Sequence, residues 1–284
     1  GVEEKTTTNS SFSSVYAVQP EDFHGITPKL VAKEGAEVKA GDTLFYEKSD
    51  ERILFPSPVS GKVTEVIRGA RRRVMAVKIA ADATQVHTDF GAKDAVKMSA
   101  EEIKNHLLSS GCWPFIKQRP YDVVANPNQI PKAIFVSGYA SAPLSADLDY
   151  TLVGKEVELQ AAVTAISKLT EGKLHISVGK ASNSPLANLS GVEIHTVSGP
   201  HPSGNVGVQI HHLDPMGKGE IAWTVTPYGV AQIGKLFLKG IYDASRVVAV
   251  AGSEVSNPQY YKTYTGAGIN KFVEGNLKND HVRF

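Results

Sequence analysis

The stretch Glu34-Gly-Ala-Glu-Val-Lys-Ala-Gly-Asp-Thr-Leu44, followed by Pro56-Ser-Pro-Val-Ser-Gly-Lys-Val63, decides the fold of the N-terminal part. Each half carries a glycine turn that feeds a valine-containing strand: Glu34-Gly35…Val38…Gly41 in the first, Ser60-Gly61…Val63…Gly69 in the second. This weak repeat reads as two interlocked half-barrels around a central hairpin, with Thr43-Leu-Phe-Tyr46 and Ile53-Leu-Phe55 as the hairpin arms. The run from Val74 to Ile79 sets Met75, Val77 and Ile79 on one face at a period of two. Residues from Gly25 to Ala81 are therefore expected to form a compact all-β module.

The same two segments resemble the biotinyl/lipoyl domain family. There a lysine at the hairpin tip carries the cofactor. Counted back from Ser57, that position falls on Asp50, and the nearest lysine, Lys48, comes two residues early. The expectation is a scaffold with no modification lysine and no covalently bound cofactor. Arg68, Arg71, Arg72 and Arg73 cluster in the following turn. They read either as a solvated turn or as a docking patch for an acidic partner or a lipid headgroup surface.

Farther along, Ser99 is an N-cap candidate for a helix over residues 99–110, with Glu101 and Glu102 in its first turn and Gly111 at its end. Strands are expected at Ala133 to Ser137, Leu174 to Val178, Val192 to Val197 and Ile221 to Thr226, with helices from Gly154 to Leu169 and from about Gly229. Strands alternating with helices imply an α/β layer with parallel pairing. Ligands in such layers sit at the carboxyl ends of the strands. Ser137-Gly-Tyr-Ala140, Val178-Gly-Lys180 and Ser198-Gly-Pro-His-Pro-Ser-Gly-Asn205 are the loops there, and the last reads equally as a tight turn or a ligand loop. His195, His201, His211 and His212 lie near Asp214, but adjacent His211 and His212 would face opposite ways on a strand, and no metal site is expected. Val247 to Gly252 reads as a buried strand opening a third, β-rich unit.

Composition narrows the function classes. A 284-residue chain with 42% hydrophobic and 21% charged residues fits a soluble globular protein of two or three domains. The net charge of +1 argues against a general nucleic-acid binder. Cys112 is the only cysteine, too few for a disulfide or for an iron–sulfur cluster held by cysteines. No run reaches the roughly 18–20 apolar residues of a membrane span, and no secretory leader is visible. Gly1 in place of Met and the stop at Phe284 read as the ends of an excised piece.

Taken in order, a biotinyl-like module, an α/β layer and the start of a β-grasp-like domain resemble three related families. The last two parts are similar to the flavin-binding subunit of respiratory complex I. All three are similar to the C subunit of the Rnf complex and, most closely, to the A subunit of the sodium-translocating NADH:quinone reductases. The residues that carry this last resemblance are Val15-Tyr-Ala-Val-Gln-Pro-Glu-Asp-Phe-His-Gly-Ile-Thr-Pro-Lys29, Gly41-Asp-Thr-Leu-Phe45, Ser57-Pro-Val-Ser-Gly61, Arg68-Gly-Ala-Arg-Arg72, Ser198 to Asn205 and Val208-Gln-Ile-His-His212.

The resemblance implies a multidomain α/β plus β fold. Residues 1–14 form a flexible lead-in; 15–90 a biotinyl/lipoyl-like barrel-sandwich hybrid; 91–244 a Rossmann-like α/β domain as in the complex I flavin subunit; 245–284 the start of an SLBB-like domain. It further implies a peripheral subunit of a sodium-transporting oxidoreductase, placed on the cytoplasmic face of the bacterial inner membrane. Such a subunit is not catalytic alone, is associated with quinone, and meets the membrane only through partner subunits. The alternative is a non-catalytic docking scaffold of an Rnf-type complex. Where the flavin subunit has a glycine-rich phosphate loop, this chain has Cys112-Trp-Pro-Phe-Ile-Lys-Gln-Arg-Pro120, whose bulky rings and prolines lacking N–H donors cannot form that cradle, so neither FMN nor NADH binding is expected; with one cysteine, no Fe–S cluster is expected either. Trp113 and Phe115 are candidates for stacking on a quinone head, or else they cover the core. Arg119 and His201 are candidate donors to its carbonyls.

Overall fold

The structure is a computed structural model that describes residues 4–9, 13–279 and 281–283. The first eight strands are β1 (Glu4–Asn9), β2 (Val15–Val18), β3 (Pro28–Leu30), β4 (Glu37–Val38), β5 (Thr43–Glu47), β6 (Asp50–Pro56), β7 (Gly61–Arg68) and β8 (Val74–Ala81). Strands β2-β8-β7-β4 make one sheet and β3-β5-β6 another. Alternation along β7 buries Gly61 and Val63 and exposes Lys62 and Thr64, and Leu44, Phe45, Phe55, Val59, Val77 and Ile79 close the space between the sheets with no exposed surface. Phe45 and Phe55 stack at 4.9 Å, with Phe23 edge-on to Phe55 at 4.5 Å. The halves interlock as the repeat implies: Gly35 donates to the Val63 carbonyl (2.8 Å), and Val63 donates to that of Ala36 (2.9 Å). Val77 and Ile79 are buried as expected, while Met75 is half-buried.

The hairpin tip differs from the count. Glu47 pairs with Asp50, so the turn is Lys48-Ser49 and a lysine does occupy the tip. Counting from Ser57 fails because the pairing of β5 with β6 is irregular between Tyr46 and Glu47, where β6 takes up the extra residues. Buried Glu47 fixes this turn by accepting from the backbone N–H of Thr27 (2.6 Å) and of Ser49 (2.9 Å) and from the Ser49 hydroxyl (2.7 Å). Asp50 instead opens β6, where a two-pronged grip from Arg52 (2.9 and 2.6 Å) holds its carboxyl below the usual carboxylate range.

The α/β layer begins with α1 (Ala100–Ser109), capped at its start by Ser99 as expected, with the Ser99 backbone N–H donating in return to the Glu102 carboxylate. Strands β9 (Ile116–Arg119), β10 (Val123–Val124) and β11 (Ile134–Gly138) follow, then α2 (Leu148–Thr151), α3 (Glu156–Ile166), β12 (Leu174–Gly179) and β13 (Glu193–Val197). Helix α4 (Val206–Leu213), β14 (Ala222–Val225) and α5 (Pro227–Lys239) complete it. The sheet order is β10-β9-β14-β11-β12-β13. The four strands from β14 to β13 are parallel, as expected. The unforeseen β9 and β10 add an antiparallel edge. His211 and His212 lie in the last turn of α4, not on a strand: Gln209 and Ile210 turn inward, with Ile210 packed on Phe135.

Helices α3 and α5 cover one face of the sheet, and their backbones touch. A Cβ on Gly234 would sit 1.9 Å from the Glu158 carbonyl oxygen, so only glycine allows this crossing. Gly234→Val should therefore lower stability by about 2–3 kcal/mol through overpacking. Urea unfolding followed by circular dichroism measures this; a loss below about 0.5 kcal/mol would show that the helices can separate freely.

The third unit contains β15 (Ser245–Val250), β16 (Gln259–Tyr264) and α6 (Asn270–Val273). Residues 4–9, expected in a flexible lead-in, form β1 and pair parallel with β16. Strand β15 is half-buried along its whole length, not buried, because it edges a three-stranded sheet, β1-β16-β15.

Candidate functional site

In the parallel part of the sheet the chain runs from β11 outward through β12 to β13, then returns to the other side of β11 as β14. The order reverses between β11 and β14. Loops leaving their carboxyl ends diverge there and leave a crevice. A cleft of about 730 Å³ occupies this place. Its floor is Ser137 and Thr224, and its walls include Tyr139, Ser141, Leu148, Val208 and Val225. Lys117 and Arg119 enter from β9, and the first residues of α4, Val206 to Val208, close the opposite side.

The loop from Ser198 to Asn205 is tied to the loop after β11 by a small polar network. The Ser137 hydroxyl donates to the Gly204 carbonyl (2.8 Å) and accepts from the Gln209 amide (2.9 Å). Tyr139 donates its hydroxyl to the Gly199 carbonyl (3.0 Å), and Gly204 N–H donates to the Ser141 hydroxyl (2.8 Å). A Cβ on Gly204 would lie 2.5 Å from the Tyr139 carbonyl oxygen, so glycine is what lets the two loops meet backbone to backbone. Asn205 precedes α4 without a side-chain cap on its N–H groups, which leaves the positive end of that helix facing the cleft.

Arg119 is the one sequence candidate inside this cleft. Its Nε lies 3.5 Å from Asp122 Oδ1 and makes no hydrogen bond, and its guanidinium approaches α4 at Gly207. His201 stands at the rim, exposed, with Nδ1 3.2 Å from the Ser141 hydroxyl. Trp113 lies elsewhere: it is fully buried, donates its indole N–H to the Ala125 carbonyl (2.7 Å) and meets Trp223 edge to face at 5.4 Å. Phe115 is half-buried and packs between Tyr228 and Tyr242 at 5.9 and 6.1 Å. The four candidates thus divide into a pair at the cleft and a pair in aromatic packing. Sequence reading missed Lys117, Ser141 and Gln209 as site residues; the strand-end loops Ser137 to Ala140 and Ser198 to Asn205 pointed toward the cleft.

Cys112 is buried, and that burial pushes its thiol up to about 12, so it offers no thiolate at neutral pH. Among the described residues no group of three or more His, Cys, Asp or Glu side chains could hold a metal ion. The four arginines of the second hairpin, 68 and 71–73, are all exposed. The cleft offers cationic and hydroxyl donors beside apolar walls, an arrangement suited to a flat ligand with carbonyl or anionic oxygens.

Comparison with known proteins gives three family matches along the chain. Residues 1–82 match the NqrA N-terminal barrel-sandwich hybrid domain, residues 98–242 the NqrA second alpha/beta domain, and residues 247–284 the NQRA C-terminal domain. Among curated proteins, the A subunit of the Na(+)-translocating NADH-quinone reductase of Histophilus somni (strain 2336) is 33% identical over 98% of this chain and 63% of its own length. That of Neisseria meningitidis (FAM18) is 33% identical over 92% of this chain and 59% of its own. The Yersinia pestis (Angola) protein is 33% identical over 94% and 60%. The chain spans about three fifths of the length of these curated relatives.

Proposed function

This chain belongs to the NqrA family, and from that premise we propose that it serves as a peripheral subunit of a sodium-translocating NADH:quinone reductase. The observation that carries the reading is the succession of three family domains in order along the chain. In this role the chain carries no flavin or iron–sulfur cluster of its own. Flavins and metal centres belong to partner subunits, and this one contributes to quinone binding and to assembly. Among the described residues no helix is long and apolar enough to cross a membrane. We place the subunit on the cytoplasmic side, held by its partners.

The cleft between β11 and β14 is the proposed seat of the quinone head. Arg119, which lines the cleft, supplies a charge-assisted donor to one carbonyl oxygen. Leu148, Val208 and Val225 cover the ring, and His201, beside Ser141, is the candidate donor to the second carbonyl. Two measurements test this. In the reconstituted complex, omitting the subunit should abolish quinone reduction while NADH oxidation by an artificial acceptor continues. Arg119→Leu should weaken quinone binding roughly tenfold, the worth of one charged hydrogen bond, with Arg119→Lys intermediate. Unchanged quinone affinity in Arg119→Leu would remove the cleft from the proposal, and unchanged quinone reduction without the subunit would remove the function.

A further inference from the structure

The turn joining β7 to β8 carries a second feature that the quinone reading does not use. Gly69 to Arg73 projects from the barrel and bears Arg71, Arg72 and Arg73, with Arg68 at its base, all four exposed. Arg68 donates to the Arg72 carbonyl (3.0 Å), which closes the turn, and Arg73 lies 3.6 Å from Glu21. Arg71 and Arg72 have no ion-pair or hydrogen-bond partner among the described residues for their guanidinium groups. The chain as a whole is nearly neutral, at +1, so this charge is a local concentration.

Two details set the turn apart from an ordinary solvated loop. Arg71 and Arg72 both adopt left-handed backbone, at φ 54° and 60°. Glycine or asparagine takes that conformation at far less cost. Arginine stands here where the local backbone disfavours it, which is expected where the side chain has a task. All four cations are also arginine, the side chain whose planar fork grips phosphate oxygens in pairs. No large apolar side chain is exposed between Val66 and Met75. A stable protein–protein contact centres on a buried apolar or aromatic patch, and this tip has none to offer.

We propose that the Gly69–Arg73 turn binds the phosphate headgroups of an anionic bilayer. The proposal rests on the membrane-complex reading only for the presence of a bilayer nearby, and it adds a direct lipid contact to the contacts made through partner subunits. The test is co-sedimentation of the chain with vesicles of phosphatidylglycerol and phosphatidylcholine, against phosphatidylcholine alone. Binding should need the anionic lipid and weaken as salt rises. Each arginine near such a surface contributes about fivefold, so Arg71→Gln, Arg72→Gln and Arg73→Gln together should weaken binding about a hundredfold. Replacing Lys33, Lys39 and Lys62 with glutamine, the same loss of charge elsewhere on the module, should leave it largely intact.

The pair Arg71→Gly and Arg72→Gly gives a readout that a structural role cannot imitate: the melting temperature should hold or rise while vesicle binding falls. Equal binding to neutral vesicles, or equal loss in the lysine control, overturns the proposal. So does polyglutamate competing as well as anionic vesicles, because it assigns the turn to an acidic protein. Loss of vesicle binding leaves quinone reduction by the assembled complex as a separate measurement, so the two readings fail independently.

Discussion

Trp113→Ala is expected to cost about 5 kcal/mol and to leave the α/β layer largely unfolded at modest denaturant concentration. The ring is wholly buried and stands edge-on to Trp223, so truncation opens a large cavity beside a second aromatic. Cavity formation at a buried tryptophan alone is worth roughly 3–5 kcal/mol. The substitution also strands the Ala125 carbonyl that accepts the indole N–H at 2.7 Å, which adds on the order of 1 kcal/mol. A shift of roughly 10–20 °C in the transition of this domain follows. Trp113→Phe separates packing from ligand contact. It keeps most of the volume, loses the hydrogen bond, and should cost about 1–2 kcal/mol with quinone affinity unchanged. A tenfold loss of quinone affinity in a stably folded Trp113→Phe protein would return this ring to the binding site and move the cleft assignment with it.

The two meanings of Trp113 show where sequence stops being legible. A tryptophan between Cys112 and Pro114 looks the same whether it faces a ligand or a core; only the sheet it packs against decides. Features set by near neighbours were readable. The Ser99 cap, the glycine turns of the barrel and the alternating strands each depend on residues within a few positions. The family motifs were readable because they are long and follow in order. The hairpin tip was not, because an irregular pairing inside β5 and β6 breaks any count along the chain. Nor was the helical state of His211 and His212. Val206-Gly-Val-Gln-Ile210 has the β-branched look of a strand, and packing of Ile210 on Phe135 overrides that local preference. The polar network of the cleft joins Ser137 to Gln209 and Ser141 to Gly204, residues more than sixty positions apart. Sequence marked their loops as strand ends and could say nothing of their meeting.

Asp243→Asn is the other substitution expected to have a large effect, and it acts where the α/β layer hands over to the third unit. Lys235, near the end of α5, has a side chain only 5% exposed, and its amine reaches Asp243 Oδ2 (3.3 Å) and the Ser245 hydroxyl (2.8 Å). Burial holds the amine below its ordinary range despite the neighbouring carboxylate. Asp243 also accepts from the Ser245 backbone N–H (2.9 Å), and Gln232 donates to the Ser245 carbonyl (2.8 Å), so one cluster fixes the start of β15 against α5. Asparagine preserves the bond from Ser245 but removes the charge that faces Lys235. An unpaired buried cation costs roughly 3–5 kcal/mol, whereas replacing both members of such a pair by neutral groups costs far less. Asp243→Asn should therefore lose about 3–4 kcal/mol at pH 7, and adding Lys235→Met should restore most of it.

The pH dependence has a definite sign. A lysine held below its ordinary value when folded destabilises the protein as pH falls from about 10.5 through its folded value, because the unfolded chain takes the proton first. Loss of Asp243 depresses Lys235 further and widens that window. The cost of Asp243→Asn should thus shrink as pH rises from neutrality toward about 10.5, as the amine sheds its charge in the folded state. Urea unfolding across that range, with hydrogen exchange read at Ser245–Val250, measures both the energy and its location. A cost under about 1 kcal/mol that stays flat with pH would mean water already reaches Lys235, and β15 would then be held by its pairing with β16 alone.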